Sequence, residues 1–162
     1  SKVLKHIDMP TILFFLGILM SVAALQSAGV LTDVANWLDK QVHEVFTIAG
    51  VIGVLSSVID NVPLVAACMG MYPVMDAAAV AASADPAYMQ SFVQDGLFWH
   101  LLTYCAGVGG SLLIIGSAAG VVAMGLEKIN FAWYFKKITL LAFVGYLSGI
   151  LVILLEHLLI GL

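Results

Sequence analysis

The stretch "SSVIDNVPLVAACMG", residues 56–70, places an acid, an amide and a proline in the middle of an otherwise apolar run. On either side the chain is nearly free of charge, from Val45 to Ile59 and from Leu64 to Met75. The whole region 45–75 is longer than one bilayer crossing, yet Asp60, Asn61 and Pro63 divide it into halves that are each too short to cross, since a crossing takes about 20 apolar residues. How these halves sit decides the fold.

Composition sets the solvent. The chain has 162 residues, of which 62% are hydrophobic and 10% charged, with a mean hydropathy of +1.10. A soluble domain of that size carries roughly a quarter charged residues. The apolar surface exceeds what one soluble core hides, so the sequence predicts an all-α integral membrane protein. The first apolar run starts at Met9 without the cleavage site and polar mature domain of a secretory leader. The basic residues are Lys2, Lys5, Lys40, Lys128, Lys136 and Lys137, with no arginine. That is too little cationic surface for nucleic-acid binding. Cys68 and Cys105 lie in apolar runs with no zinc spacing, and read as small buried hydrophobes.

Three further stretches are long enough to span: Met9 to about Val30, Leu97 to Leu126, and Ile138 to about Leu159. Lysine placement decides the path of 45–75, because cytoplasmic loops carry the excess of Lys and Arg. If 45–75 dips in and returns, Lys2, Lys5, Lys128, Lys136 and Lys137 share the cytoplasmic side, and the lysine-free segment 76–96 with Asp76, Asp85 and Asp95 lies outside. If it crosses, that order is scrambled. The predicted organisation is therefore 1–44 first transmembrane helix and outer loop, 45–75 re-entrant hairpin, 76–96 extracytoplasmic loop, 97–127 discontinuous transmembrane helix, and 128–162 cytoplasmic loop and last transmembrane helix. Irregular backbone at membrane depth must be buried in protein or line a wet cavity.

The run "AGVGGSLLIIGSAAG", residues 106–120, interrupts the second long span with Gly107, Gly109, Gly110, Gly116 and Gly120, and with Ser111 and Ser117 between them. Small residues also serve close helix packing. Paired with the polar break at 60–63, however, they read as a second unwound segment, and paired discontinuous segments point to a transporter's binding site. The chemistry offered there suits a cation: the Asp60 carboxylate, the Asn61 amide oxygen, hydroxyls of Ser56, Ser57, Ser111 and Ser117, and carbonyls freed by unwinding. Hard cations take oxygen ligands. An ionised aspartate at a helix centre costs about 2.5–3.5 kcal/mol, a cost relieved by a proton or by a metal ion. A carboxylate that must hold one or the other couples the two. The plainer reading is that Asp60 or Asn61 caps the second half-helix, with Pro63 in its first turn.

At these residues the chain resembles the C-terminal half of NhaD-type sodium/proton antiporters of the ion transporter superfamily. The motifs that carry the likeness are "GVLSSVIDNVPLVAACMGMY" (53–72) and "FWHLLTYCAGVGGSLLIIGSAAGVVAMG" (98–125), with "PTILFFLGIL" (10–19) and "WYFKKITLLAFVGY" (133–146) extending it over the chain. The resemblance implies an elevator-type transporter of two inverted repeats, usually a homodimer, in which each repeat offers a re-entrant hairpin and a broken helix. The chain holds one such set, so its N-terminal half is an expected partner, together with membrane lipid. The resemblance assigns the ion site to Ser56, Asp60 and Asn61 at the tip, and to Gly109, Gly110, Ser111, Gly116 and Ser117 at the break. It implies Na⁺ (or Li⁺) and H⁺ as transported ions bound at Asp60 and Asn61, no cofactor, no catalytic residue, and a multi-pass place in a bacterial inner membrane, with a role in pH homeostasis. Carboxylate-transporting relatives carry Ser-Asn-Thr at the tip and Gly-Thr-Pro-Pro-Asn in the broken helix; Asp60-Asn61-Val62-Pro63 and Gly116-Ser117-Ala118-Ala119-Gly120 depart from both.

Lesser candidates are Asp8, as a gate to a proton path or a solvated helix-start residue; His100, as a pH sensor beside an interfacial Trp99; and Tyr104, reaching the cavity. Glu127-Lys128 and Glu156-His157 read as solvated span ends. The alternative function is a sodium-coupled symporter of a small anion. An intramembrane aspartyl protease would need a second facing carboxylate, and no other mid-span acid exists in the chain.

Overall fold

The structure, a computed structural model, describes residues 9–160; Asp8, Lys2 and Lys5 lie outside the described residues. The described residues form ten α-helices: α1 Met9–Ser27, α2 Val30–Gln41, α3 Val45–Leu55, α4 Asn61–Met71, α5 Ala77–Ala82, α6 Pro86–Met89, α7 Leu97–Gly109, α8 Ala118–Leu126, α9 Phe131–Lys137 and α10 Thr139–Ile160. No strand occurs among them beyond an isolated bridge between Met75 and Val93.

The segment expected as an outer loop, 31–44, is mostly helix. Leu31, Ala35 and Leu38 recur at helical spacing and pack inward while Asp33 and Lys40 stay at the ends. Gly29, at φ 77°, supplies the left-handed turn from α1 into α2.

The chain of 45–71 goes out and comes back. The carboxylate of Asp39, ahead of α3, accepts the hydroxyl of Tyr72 at 3.3 Å and that of Tyr88 at 2.7 Å. Tyr72 is the residue on which α4 ends. The entry to α3 and the exit from α4 are thus tied to one side chain, and the turn 56–60 forms the far tip. α7 starts beside the base, where Phe98 lies 4.9 Å from Tyr72 ring to ring, and ends beside the tip, where Ser56 reaches Ala106. Accordingly α3 and α7 run parallel and α4 runs against them. α3 has 11 residues, about 16 Å, or half a hydrocarbon core.

α10 runs back along α3 and α7. Its first residue, Thr139, donates to the Leu112 carbonyl at 2.8 Å, and its far end brings His157 within 6.4 Å of Phe46. Thr139–Leu159 is long and apolar enough to cross a membrane, and only 6% of its most apolar window is buried. Among the described residues it alone meets that test.

The base is closed by segment 73–96. Asp76 and Asp85, expected only as loop acids, cap α5 and α6 by accepting from Ala79 N at 2.7 Å and Tyr88 N at 3.0 Å. Phe92, Phe98, Tyr72 and Tyr88 stack into an aromatic core above Ile48 and Leu101. Trp99, expected near the outer interface, is half-buried against this core: its indole N–H donates to the Phe92 carbonyl at 3.2 Å and its ring meets Phe98 edge-on at 5.0 Å.

Candidate functional site

Two helix ends meet at the tip. α3 stops at Leu55, and the N–H groups of Ser56, Ser57, Val58 and Ile59 bond back to the carbonyls of Ile52, Val54 and Leu55. That leaves the carbonyls of Ser56 and Ser57 past the helix end, without an N–H partner among the described residues. α7 stops at Gly109, and the chain runs through a turn, an extended Leu113, a short 3₁₀ turn Ile114–Gly116 and an extended Ser117 before α8 begins.

These ends converge on Gly116. A Cβ placed there would lie 2.5 Å from the Gly110 carbonyl oxygen, 2.7 Å from that of Ser57 and 2.8 Å from that of Ser56. A Cβ on Gly110 would lie 3.2 Å from the Gly116 carbonyl. Gly116 has no left-handed φ; glycine is needed here for its missing side chain, which lets three carbonyl oxygens close on one point. Both contributing ends are helix C-termini, where the helix dipole is negative. The hydroxyl of Ser56 locks the arrangement by donating to the Ala106 carbonyl at 2.6 Å, with Ser56 fully buried.

The remaining expected residues sort differently. Gly109 faces Gly53, and a Cβ on it would collide with the Gly53 carbonyl, so it serves the close crossing of α3 and α7. Gly107 has open space around its Cβ position. The Ser111 hydroxyl donates back to Val108 O at 2.6 Å, and Ser117 caps α8 by accepting from Gly120 N at 3.1 Å. Ser57 is buried beside Ser56. Asp60 occupies the N-cap position of α4 with an extended backbone (ψ 139°), but its side chain makes no capping hydrogen bond. Asp60 and Asn61 are half-buried, and Asn61 lines an open hollow of about 360 Å³ with Val62, Val65, Ala66 and Met69. Pro63 sits in the first turn of α4, where its missing N–H costs nothing.

Tyr104, expected to reach the cavity, turns away from it: its hydroxyl donates to the carbonyls of Gly145 and Tyr146, at 3.2 and 3.3 Å, on α10. His100 is exposed at the base. Three contributors were not singled out from sequence: Gly53, Ala106 through its carbonyl, and Tyr146, whose buried hydroxyl donates to Gly50 O at 2.7 Å. Only Tyr146 left a trace, as a polar side chain within an apolar span.

Among the described residues no three His, Cys, Asp or Glu side chains gather. What gathers is backbone carbonyl oxygen at a turn that also bears Asp60, the type of donor that hard cations take.

The relatives found by comparison are named as transporters. The family model described as "Citrate transporter" (CitMHS) matches residues 1–93. "Sodium/proton antiporter 1" of Arabidopsis thaliana is 50% identical over 156 residues, 96% of this chain and 24% of the relative. "Sodium/proton antiporter 2" of the same plant is 49% identical, over 95% of this chain and 33% of the relative. "Na(+)/H(+) antiporter NhaD" of Vibrio cholerae is 35% identical, over 95% of this chain and 28% of the relative. The chain thus spans about a quarter to a third of the length of these relatives. No solved structure matches it significantly. With more than half of its length matched by the family model, the chain belongs to the citrate transporter family, CitMHS.

Proposed function

We propose that this integral membrane chain is the C-terminal part of a secondary transporter that exchanges Na⁺, or Li⁺, for H⁺, with Asp60 holding cation and proton in turn. The observation that carries this reading is the closure of the Ser56, Ser57 and Gly110 carbonyls around Gly116, at the tip that also bears Asp60. The carbonyl ends of α3 and α7 favour a positive charge, and the carboxylate of Asp60 completes the cation's neutralisation. A proton arriving at Asp60 removes that charge and releases the cation; a cation arriving displaces the proton. The half-bilayer length of α3 and α4 suits a re-entrant hairpin, with the segment 76–96 extracytoplasmic and Lys128, Lys136 and Lys137 cytoplasmic. In this reading the N-terminal part supplies an inverted repeat and the remaining ligands. The assembled protein is a homodimer whose ion-carrying unit moves as an elevator, in a bacterial inner membrane.

Sodium-coupled uptake of a small anion is the second reading, and the N-termini of α4 and α8, which open on the same region, favour it. Both are compromised for an anion, because Ser117 caps α8 and Asp60 precedes α4.

The test uses the complete transporter in inside-out vesicles with an acidified lumen. Na⁺, Li⁺ or K⁺ is added to wild type and to Asp60→Asn, and proton release is followed. Release evoked by Na⁺ and lost in the variant supports the proposal. Release that survives the variant removes Asp60 from the exchange, and no cation-evoked release from folded protein transfers the case to symport.

A further inference from the structure

The helix just ahead of the membrane span is exposed except at Tyr134, which is half-buried. α9 reads "FAWYFKK", and none of its residues is buried; Trp133 is 52% and Phe135 54% exposed. Asn130 starts it by accepting from Ala132 N at 2.8 Å, and Phe131 and Phe135 stack at 6.2 Å. Trp133 and Lys137 stand four residues apart and so share a face, with Lys136 beside them. Lys128, at φ 52°, closes the end of α8 just upstream. None of these three lysines pairs with a carboxylate among the described residues. The apolar span begins at Thr139, two residues past Lys137, so in the proposed topology Lys136 and Lys137 stand at its cytoplasmic end, at headgroup depth. Trp and Lys are the residues that anchor at that depth.

The position is fixed, because Tyr134 donates its hydroxyl to the Ser111 carbonyl at 2.8 Å and Thr139 donates to the Leu112 carbonyl at 2.8 Å. These two bonds hold α9 against the helix interruption.

We propose that Lys128, Lys136 and Lys137, with Trp133 between them, form a docking surface for the headgroups of anionic phospholipids. The ammonium groups meet the headgroup phosphates, Trp133 lies among the glycerol carbonyls, and the Phe131–Phe135 pair enters the upper acyl region. Each lysine near an anionic bilayer surface favours anionic lipid by about fivefold, and the local concentration of three is what separates this end from the lysine-free segment 76–96.

The experiment is done on the complete transporter, purified in mild detergent from membranes containing both phosphatidylglycerol and phosphatidylethanolamine. The lipids retained are counted by mass spectrometry for wild type and for the K128Q/K136Q/K137Q variant. Retained phosphatidylglycerol enriched over its membrane share, with the enrichment falling at least about fivefold in the variant, is the expected result. An equal ratio in the two proteins overturns the proposal. Should the triple variant not fold, Trp133→Cys carrying an environment-sensitive dye, with the lysines intact, is reconstituted into phosphatidylcholine vesicles with and without phosphatidylglycerol. A blue shift confined to the anionic vesicles and reversed by salt supports the surface. The same emission in both vesicles means that other protein covers this face, and ends the proposal. Neither readout depends on ion exchange.

Discussion

The hydroxyl of Ser56 and the carbonyl of Ala106 meet at 2.6 Å in a place closed to solvent, fifty residues apart in sequence. This bond joins the end of one half-helix to the last turn of another and so fixes the separation of the carbonyls around Gly116. Removing it in Ser56→Ala withdraws one buried hydrogen bond, worth about 1 kcal/mol, and lets the two ends drift apart. The expected outcome is a small drop in melting temperature of the complete transporter together with a several-fold weaker apparent Na⁺ affinity in vesicles. A stability loss with unchanged Na⁺ dependence would separate the bond from the site.

Gly116 is the sharper probe. An added methyl has three carbonyl oxygens within 2.8 Å and no flexible side chain to displace. Gly116→Ala is expected to cost about 1–3 kcal/mol through overpacking and to abolish Na⁺-evoked proton release. Gly107→Ala, on the same broken helix with nothing within 4 Å of its Cβ position, is the control. It is expected to gain about 0.5–1 kcal/mol through helix propensity and to retain transport. Parallel melting curves and flux assays on the two variants decide the matter.

Much of this arrangement is legible in the chain itself, for a physical reason. Asp60, Asn61 and Pro63 stand out because polar and helix-breaking residues are costly in an apolar run, so each marks a break. The glycines of 106–120 likewise mark the second interruption, which the structure places between Gly109 and Ala118. What stays hidden is which glycine does what. Gly109 packs against Gly53 while Gly110 and Gly116 line the carbonyl cluster, and no local pattern distinguishes a missing Cβ needed for helix crossing from one needed for oxygen convergence. The helix over 30–41 was masked by its charges, Asp33 and Lys40, which read as a loop although Leu31, Ala35 and Leu38 keep a helical stripe. The role of Asp39 rests on tyrosines 33 and 49 residues away, and contacts of that range leave no signature in neighbouring sequence.

That carboxylate makes its own prediction. Asp39 ties the base of the hairpin by accepting from Tyr72 and Tyr88, and hydrogen bonds to a charged acceptor contribute about 1.5–3 kcal/mol each at best. Burial and then the Asp39 carboxylate raise the Tyr88 hydroxyl well above its ordinary range, so the tie is expected to persist through alkaline conditions. Tyr88→Phe leaves the aromatic packing but removes the shorter bond. The expected result is faster proteolysis within 76–96 under native conditions, with the span helix α10 unaffected; unchanged cleavage would show that the aromatic core alone holds the base.

The entry to α3 gives a titration test. Glu44 caps that helix by accepting from Phe46 N at 2.9 Å and Thr47 N at 2.6 Å. Burial works to raise its carboxyl, but the bonds from Thr47 and Phe46 outweigh it and hold the pKa below the ordinary 4.5. A folded-state pKa below the unfolded one means that the cap's contribution is fully present above the unfolded value and fades as pH falls through the folded value. Asp85, held low by the Tyr88 N–H and by His43, titrates in the same direction, so wild type alone does not isolate Glu44. The comparison with Glu44→Ala does. Above the window the variant is expected to be less stable than wild type by about 1 kcal/mol, the usual loss on removing a helix cap. Melting curves taken between about pH 3 and 6 should then converge as the wild-type carboxyl protonates. A gap that holds constant down the whole range would mean that Glu44 stabilises α3 by packing and not by its charge-assisted cap.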